Sequence, residues 1–448
     1  MEFFVKKTTQ WLGGAFLVAC LIYALSPNLG TLSAKLGFWE WRNHLVFFSG
    51  VVSLAFMALA MLISVRPSWA ERAMGGLDKA YVLHKWAGIW AWVAVLVHWL
   101  LEHLPRAMVK KGLLLPPGPS AKLSLSPLAE KLVRSGLHFA DFIFFLMLAL
   151  MLVALLRKIP YRFFGYAHKL FPVVFLVAAW HSVTVQLKAQ WLSSPAGYLV
   201  IALALAGSIP AFISLFQGIA KTRKVKAVVA GLQKHGGNML DIRLETPPQS
   251  FAHSAGQFAF LSFEHDKEPH PFTIASAGGS PSLRFVIKAL GDHTFGLMHR
   301  LNIGERVEVE GPYGQFHFRD NKARQIWVAG GIGITPFMAR LDELEKAGPY
   351  ASPRPPIDFW YCTQTEEENR FPENLEALCQ KSGIRLYRKV AQKGELLSAE
   401  EVGRAAGGLQ EAGVWFCGPK AFAQSLREGL KRQGLEGEAF HCEAFEMR

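Results

Sequence analysis

The chain has 448 residues, is 51% hydrophobic and carries a formal net charge of +13. Residues 1–220 hold 19 basic and 7 acidic residues, so a charge of +12 lies in that half. Basic charge between apolar segments is typical of membrane flanks and argues against a nucleic-acid surface. The five cysteines form no CxxC pair, which gives no support to a zinc ribbon, a cysteine-ligated iron–sulfur cluster or a disulfide framework.

Six apolar segments in the first half have about the length that crosses a bilayer. They lie near 11–26, 43–65, 82–104, 136–156, 166–187 and 196–217. The first resembles a signal sequence but lacks a convincing small-x-small cleavage site, so we expect it to be retained as a span. Most of the basic flanks fall on the side of the N-terminus, and the positive-inside rule makes that side cytoplasmic. The loop 106–134 is an exception, because it carries six basic residues on the opposite side.

Two of these segments carry pairs of histidines. His84 and His98 lie fourteen residues apart in the third segment, and His168 and His181 lie thirteen apart in the fifth. These two spans run in the same direction, so the histidines fall at two matching depths about 20 Å apart, at ~1.5 Å per residue. Such an arrangement predicts two stacked haem centres with two histidine ligands each. A bis-histidine centre leaves no open iron position and therefore favours electron transfer.

The thirteen-residue spacing fits an ideal helix poorly. At ~100° per residue, fourteen residues return to within about 40° of the starting face, whereas thirteen end about 220° away. Pro172, four residues after His168, predicts that this helix is kinked or unwound. A metal-free alternative stays open, in which the histidines bond to neighbouring helices or form a proton relay.

After residue 220 the apolar segments become short and alternating. Six strand-like segments between 226 and 311 predict a small antiparallel barrel. From Gln325 the pattern becomes strand–loop–helix, which predicts a parallel sheet. We therefore expect a multidomain chain: an all-α six-helix transmembrane bundle in 1–220, an antiparallel β-barrel in 221–320 and an α/β parallel-sheet domain in 321–448.

The loop from Gly330 to Pro336 reads GGIGITP and stands between a predicted strand and a predicted helix. Its glycines let backbone amides approach a pyrophosphate, Thr335 can cap the helix, and Pro336 fits the first turn. The spacing departs from GxGxxG, so a plain turn without a ligand is the alternative. The position of the loop between a strand and a helix favours nucleotide binding. Later, Cys417-Gly418-Pro419 ends a strand at the edge where ligands bind in open α/β sheets.

Several motifs then follow in a recognisable order: HPFTIAS at 270–276, GDHT at 291–294, GPYG at 311–314, GGIGITP, CGP and a terminal Phe445. Together they resemble the FAD/NAD(P)H module of the ferredoxin–NADP reductase type. With the histidine pairs upstream, residues 11–448 resemble the ferric reductase/NADPH oxidase superfamily.

The resemblance implies the cofactor contacts. Phe272 and Thr273 would lie against the flavin, and Phe445 would stack on its ring and yield to nicotinamide; core packing is the alternative for both phenylalanines. The residues implied for FAD are His270, Pro271, Phe272, Thr273, Ser276, Lys288, Thr294 and Gly314. Those implied for NAD(P)H are Gly330, Gly331, Gly333, Thr335, Pro336, Cys417, Gly418 and Pro419. No acid–base residue is expected.

The nucleotide preference stays open. The strand around Trp360 to Thr365 lacks the arginine that often follows it in family members that bind a 2′-phosphate. Arg370, Arg388 or Lys389 could take that place.

The implied function is transmembrane electron transfer. Cytoplasmic NAD(P)H reduces FAD, and electrons pass to two b-type haems, an inner one on His84 and His168 and an outer one on His98 and His181. The preferred external acceptor is a ferric chelate, because loop 106–134 is basic and Glu102 stands where several oxygen-reducing relatives have histidine. Oxygen reduction to superoxide is second, and a periplasmic protein partner is third.

A transporter with a nucleotide-sensing domain is the alternative from another class. It would explain the spans and the glycine loop but not the histidine pairs together with the flavin motif. The expected location is the bacterial inner (plasma) membrane, with both termini and the FAD/NAD(P)H domains in the cytoplasm.

Overall fold

The computed structural model describes residues 2–32, 36–118, 125–156, 158–216, 218–348 and 354–442. The chain forms two compact units. The helical unit comprises residues 4–74 and 79–221, and the sheet unit comprises residues 1–3, 75–78 and 222–448.

The first part of the chain is made of nine described helices. They are α1 (Glu2–Ala24), α2 (Phe38–Ser64), α3 (Ser68–Met74), α4 (Leu77–Lys110), α5 (Pro127–His138), α6 (Ala140–Leu155), α7 (Tyr161–His168), α8 (Phe171–Ala189) and α9 (Pro195–Leu215). Among the described residues, five stretches are long and apolar enough to cross a membrane: α2, α4, α5 with α6, α7 with α8, and α9. The first predicted span falls in α1, which is not one of these five.

The predicted interruption near Pro172 is confirmed. α7 ends at His168, and α8 begins at Phe171 with Pro172 in its first turn. Proline has no N–H to donate, and in a continuous helix its ring would clash with the carbonyl four residues earlier, which is that of His168. The chain therefore starts a new helix after this histidine, and the ideal-helix angle between His168 and His181 does not apply.

Glycines bring α5 and α9 close to α8. A Cβ added at Gly136 would lie 2.0 Å from Oγ1 of Thr184, and one at Gly207 would lie 2.1 Å from Cζ of Phe175. Lipid tails are as apolar as the helices, so close packing of this kind is an important source of helix association in a membrane.

The sheet unit begins with a six-stranded antiparallel sheet in the order β4-β3-β6-β1-β2-β5. Its strands are β1 (Lys224–His235), β2 (Met239–Glu245), β3 (Phe258–Phe263), β4 (Asp266–Thr273), β5 (Leu283–Lys288) and β6 (Arg306–Tyr313), and α10 (Asp292–Arg300) follows β5. Five of the six predicted strands are confirmed. The fourth was predicted over residues 272–276 but lies at Asp266–Thr273, so only its last two residues agree with the prediction. One bridge, between Ile274 directly after β4 and Phe285 within β5, links the two edge strands. A closed barrel stays a prediction.

A five-stranded parallel sheet follows, in the order β11-β10-β7-β8-β9. Its strands are β7 (Arg324–Gly330), β8 (Ile357–Thr363), β9 (Arg385–Val390), β10 (Ala412–Cys417) and β11 (Phe440–Cys442). The helices around it are α11 (Thr335–Ala347), α12 (Glu366–Asn369), α13 (Leu375–Lys381), α14 (Ala399–Ala406) and α15 (Lys420–Arg432). The chain leaves β7 towards β8 and later returns to β10 on the other side. The strand order therefore reverses at β7, and the carboxyl ends of β7 and β10 form the position where such sheets bind ligands.

Candidate functional site

The inner histidine pair joins α4 to the end of α7. The ring centroids of His84 and His168 lie 5.9 Å apart, and their planes differ by 64°. Nδ1 of His84 donates to the carbonyl of Ala60 in α2 at 2.9 Å. Nδ1 of His168 is buried and has no hydrogen-bond partner among the described residues.

The outer pair joins α4 to α8. The ring centroids of His98 and His181 lie 6.4 Å apart, with planes 79° apart. Nδ1 of His98 donates to the carbonyl of Val46 at 2.9 Å. Nδ1 of His181 donates to the carbonyl of Gly136 at 3.1 Å.

The two pairs fit metal centres with opposed imidazoles. Two imidazole nitrogens that bind one metal from opposite sides are roughly 4 Å apart, twice a metal–nitrogen distance of about 2 Å, so ring centroids near 6 Å are expected. Three of the four Nδ1 atoms donate to carbonyls, which fixes the tautomer and leaves Nε2 with its lone pair. The metal-free alternative also expects bonds to neighbouring helices, but the bonds present use Nδ1 and do not occupy Nε2.

A charged cluster lies one turn beyond His98. Glu102 accepts hydrogen bonds from both Arg42 and Arg106. Arg42 also donates to the carbonyl of Leu101 at 2.9 Å, and its side chain is only 11% exposed. Sequence reasoning identified Glu102 but missed Arg42, whose only signal was a cation directly before the predicted span 43–65.

The HPFT strand and the GDHT turn meet at two stacked histidines. The rings of His270 in β4 and His293 in α10 are 3.4 Å apart at the centroids and within 20° of parallel. Nδ1 of His293 donates to Oδ2 of Asp266 at 2.7 Å. The same oxygen lies 3.8 Å from Nε2 of His270. Sequence reasoning placed His270 here but did not identify Asp266 or His293 as its neighbours.

These contacts set the charge of the cluster. Burial, followed by the neighbouring His293, lowers the pKa of His270 to about 4, although Asp266 opposes the shift. Burial acts to raise the pKa of Asp266, but hydrogen bonds from the N–H of Glu268 and from His293 outweigh it, and the net shift is downward. At neutral pH His270 is therefore neutral and Asp266 is ionised.

Other residues expected near FAD are paired within the protein. Oγ of Ser276 accepts from the N–H of Arg284 at 3.1 Å, and Lys288 forms an ion pair with Glu368. Oγ1 of Thr294 accepts from the N–H of Leu290 at 3.0 Å, just before α10.

The rest of the expected FAD motif lies on strands. Pro271, Phe272 and Thr273 pair with Phe260, Ala259 and Phe258 of β3. Gly314 follows β6 with φ 108°. Phe445 lies outside the described residues.

The two nucleotide loops are in direct contact at the reversal point of the parallel sheet. A Cβ at Gly333 would lie 2.1 Å from the carbonyl oxygen of Cys417, and one at Gly330 would lie 2.8 Å from Cδ of Pro419. Gly418 is equally close, since its added Cβ would lie 2.9 Å from Cα of Gly330. The glycines are therefore required by the packing of the two loops.

The loop itself turns through Gly331, whose φ is +55°, and leads into α11 with Pro336 in the first turn. The prediction that Thr335 caps this helix was wrong. Ile334 occupies the cap position, because the loop makes a 3-10 turn first, and the Thr335 hydroxyl donates to the carbonyl of Ile332 at 3.2 Å.

Two of the three candidate 2′-phosphate ligands already have partners. Arg388 donates to the carbonyl of Asn369, and Lys389 pairs with Glu401 at 2.6 Å. Arg370 directly follows α12 and its side chain is exposed.

Comparison with known families adds two matches. The ferric reductase like transmembrane component matches residues 49–179, which include His84, His98 and His168. The FAD-binding domain matches residues 221–317. The chain belongs to the ferric reductase/NADPH oxidase superfamily. A membrane domain of the ferric reductase type is therefore followed, in one chain, by an FAD-binding domain of the reductase type.

Two known proteins are similar to this chain over part of their length. Respiratory burst oxidase homolog protein A of Solanum tuberosum is 27% identical over 216 residues, which are 42% of this chain and 22% of that protein. The toluate 1,2-dioxygenase electron transfer component of Pseudomonas putida is 24% identical over 201 residues, 42% of this chain and 58% of that protein. The matched part of this chain therefore spans less than two thirds of the length of either relative.

Among solved structures, the cytochrome b5 reductase domain of Ulva prolifera nitrate reductase is 18% identical. The similarity covers 49% of this chain and 96% of that domain, with a TM-score of 0.42.

Proposed function

We propose that this protein carries electrons from cytoplasmic NAD(P)H across the membrane to an acceptor on the outer side, and that the acceptor is a ferric chelate. The observation that carries the proposal is the pair of facing imidazole sets, His84 with His168 and His98 with His181. FAD would convert a two-electron donor into one-electron steps, and two b-type haems would carry the single electrons.

The histidines would hold the haems through Nε2. Hydrogen bonds from Nδ1 to backbone carbonyls orient the rings and raise the basicity of the ligand nitrogen. The carbonyls of Ala60, Val46 and Gly136 supply these bonds for His84, His98 and His181. The fourth ligand, His168, is held instead by its place at the end of α7, directly before the break that Pro172 imposes.

The reductase module would hold FAD along β4 and the start of α10, and NAD(P)H at the ends of β7 and β10. Pro271, Phe272 and Thr273 of β4 would lie against the flavin, with Gly314 and Phe445 completing that site. The contact of the GGIGITP and CGP loops fixes a backbone surface to which pyrophosphate can come close. Lys288 would have to exchange Glu368 for the FAD pyrophosphate.

We further propose that α1 is a sixth span. Its 23 residues would extend ~34 Å at ~1.5 Å per residue, which is enough to cross a bilayer. An even number of spans places the N-terminus and the reductase module on the same side. The positive-inside rule makes that side cytoplasmic, in the inner membrane of a bacterium.

The outer charges support an anionic acceptor. Glu102 is shared by Arg42 and Arg106, so two cations face one carboxylate beyond His98. Lys110, Lys111, Lys131 and Arg134 add positive charge to the same stretch of chain. A field of this sign attracts ferric chelates such as citrate, whereas it gives no advantage to neutral oxygen. Superoxide production is the second candidate, and its support is the superfamily.

Difference spectra of the purified full-length protein test the haem assignment. Dithionite-reduced minus oxidised spectra should show b-type bands with two haems per chain, and their absence would refute it. His98→Leu should remove the outer haem and block external reduction, while NAD(P)H still reduces the flavin. The matched control is His138→Leu, because His138 is an exposed histidine at the end of α5. Comparing superoxide formation with ferric-citrate reduction, with and without oxygen, then identifies the acceptor.

A further inference from the structure

The carboxylate of Asp266 lies between two histidines but accepts a hydrogen bond from only one of them. Its Oδ2 is 2.7 Å from Nδ1 of His293 and 3.8 Å from Nε2 of His270. The first distance is a short hydrogen bond to an ionised acceptor, and the second is too long for a hydrogen bond.

We propose that His293 is a positioning residue that keeps Asp266 occupied and so leaves Nε2 of His270 free for FAD. This inference rests on the proposed FAD site along β4, because it assigns His270 a cofactor contact. The proposal also gives the GDHT turn a second role. Besides beginning α10, the turn positions the His293 ring, which contacts both Asp266 and His270.

The stack explains why His293 can do this. Its ring lies 3.4 Å from the ring of His270 and almost parallel to it, so the two rings restrict each other's rotation. The side chains of His270, His293 and Asp266 are 23%, 19% and 17% exposed, so water reaches them only in part. Nε2 of His270 is itself buried and has no hydrogen-bond partner among the described residues, and the same is true of Nε2 of His293. A buried ring nitrogen without a partner is costly unless a ligand completes it.

A metal ion held by all three residues is the obvious alternative. Asp266, His270 and His293 each offer a ligand atom, and these atoms lie within 4.8 Å of one another. However, a metal lies in the plane of an imidazole that binds it, about 2 Å from the nitrogen. Two rings stacked 3.4 Å apart and within 20° of parallel cannot both point a lone pair at one ion. The observed geometry therefore favours the arrangement in which Asp266 is hydrogen-bonded to His293 and not to His270.

Loss of the His293 donor should redirect Asp266. The freed carboxylate has one other imidazole within reach, that of His270, and a small rotation would close the 3.8 Å gap. His270 would then be pulled away from the cofactor, and a negative charge would move towards the FAD phosphates. Both effects weaken FAD binding, and both depend on Asp266 being present.

This dependence gives a test with a suppressor. His293→Phe keeps a flat ring for the stack but removes the donor, so the FAD dissociation constant of the full-length protein should rise roughly tenfold, the size of one redirected charged hydrogen bond. Adding Asp266→Ala to His293→Phe removes the competitor and should return the constant to within about threefold of wild type. The flavin midpoint potential should shift in the single variant and return in the double variant. If His293 had only a structural role, the double variant should bind FAD more weakly than His293→Phe, because a second substitution would damage the site further.

Two more variants complete the test. His293→Asn keeps an N–H donor near the position of Nδ1 but loses the stacked ring, so it should bind FAD more tightly than His293→Phe and less tightly than wild type. His265→Phe is the matched control, since Nδ1 of His265, between β3 and β4, makes a 2.8 Å bond to Glu305, directly before β6. This variant should leave FAD affinity unchanged.

The proposal is overturned if His293→Phe binds FAD normally, if His293→Asn is as weak as His293→Phe, or if the double variant is no better than the single one. A change of FAD affinity on adding Zn²⁺ or EDTA to the wild type would favour the metal alternative and also overturn it. If the wild type binds no FAD at all, the proposed FAD site itself fails, which is a different result.

Discussion

The backbone carbonyl of Gly136 in α5 accepts a 3.1 Å hydrogen bond from Nδ1 of His181 in α8. This bond requires close helices, and the absence of a side chain at Gly136 allows that approach. A Cβ there would lie 2.0 Å from Oγ1 of Thr184, one turn from His181. We therefore expect Gly136→Ala to push α5 from α8 and to lose the bond that orients His181. Outer-haem content should fall, so that about half of the total haem remains.

The measurement is the haem-to-protein ratio together with the reduced-minus-oxidised spectrum. Gly14→Ala is the control, because a Cβ at Gly14 in α1 meets nothing within 4 Å and alanine favours a helix. A Gly136→Ala protein with full haem content and an unchanged spectrum would show that this carbonyl does not position His181.

The positions of the histidines were predictable from the sequence, but their second contacts were not. Spacing and apolar surroundings identified His84, His98, His168 and His181, and Pro172 indicated the break that separates the last two. The partners Ala60, Val46 and Gly136 could not be predicted, because they act through backbone carbonyls and any residue has one. Only the packing of α2 and α5 against the histidine helices decides which carbonyl is used.

Prediction of the reductase module from the sequence was limited in the same way. Motif order predicted that the HPFT and GDHT segments serve one cofactor, and strand alternation predicted five strands of the first sheet and the end of the sixth, β4. The contact of Asp266 with His293 depends on where β4 begins, and sequence reasoning began that strand at Phe272. Asp266 therefore looked like a loop residue. Likewise, the cap of α11 was assigned to Thr335 because an extra 3-10 turn leaves no distinct pattern in the sequence.

The reduction rate should depend on ionic strength if the acceptor is an anionic chelate. Attraction to the basic residues beyond His98 is screened over about 10 Å at 0.1 M salt. We expect kcat/KM for ferric citrate to fall several-fold between about 20 and 200 mM salt, with kcat nearly constant. Replacing Lys110 and Lys111 by Glu should lower kcat/KM at low salt and abolish most of the salt dependence. Oxygen consumption, measured in parallel, serves as the control because oxygen is neutral; equal salt dependence of both reactions would contradict the steering argument.

The nucleotide preference should depend on Arg370. It is the exposed member of the three cations considered, whereas Arg388 and Lys389 are paired with Asn369 and Glu401. An arginine near the end of the second strand of such a sheet can accept a 2′-phosphate. If NADPH is the donor, Arg370→Ala should raise its KM roughly tenfold and leave the KM for NADH unchanged. Lys393→Ala is a suitable control, because Lys393 is occupied by Glu366. Equal effects on both nucleotides would exclude a 2′-phosphate contact.

Protonation of His270 should destabilise the sheet unit in mild acid. Its pKa is lowered from 6.5 to about 4, chiefly by burial. Between these values the unfolded chain binds a proton that the folded chain does not, so the free energy of unfolding falls as the pH drops from 6.5 towards 4. Asp266 does not interfere in this window, since its pKa is lowered from 3.8 and its contribution is lost only in stronger acid. Urea unfolding of the full-length protein, followed by tryptophan fluorescence at several pH values, measures the slope.

His270→Asn should reduce that slope, because asparagine takes up no proton in either state. His253 gives an independent check. Burial also lowers its pKa, while its Nε2 bonds to the carbonyl of Ser276 at 3.0 Å. His253→Asn should remove a further part of the slope, and the two effects should add, because neither histidine is among the charged groups that shift the other. If His270→Asn leaves the slope unchanged, His270 is not held neutral in the folded protein, and the proposal that Asp266 is bonded to His293 and not to His270 loses its electrostatic support.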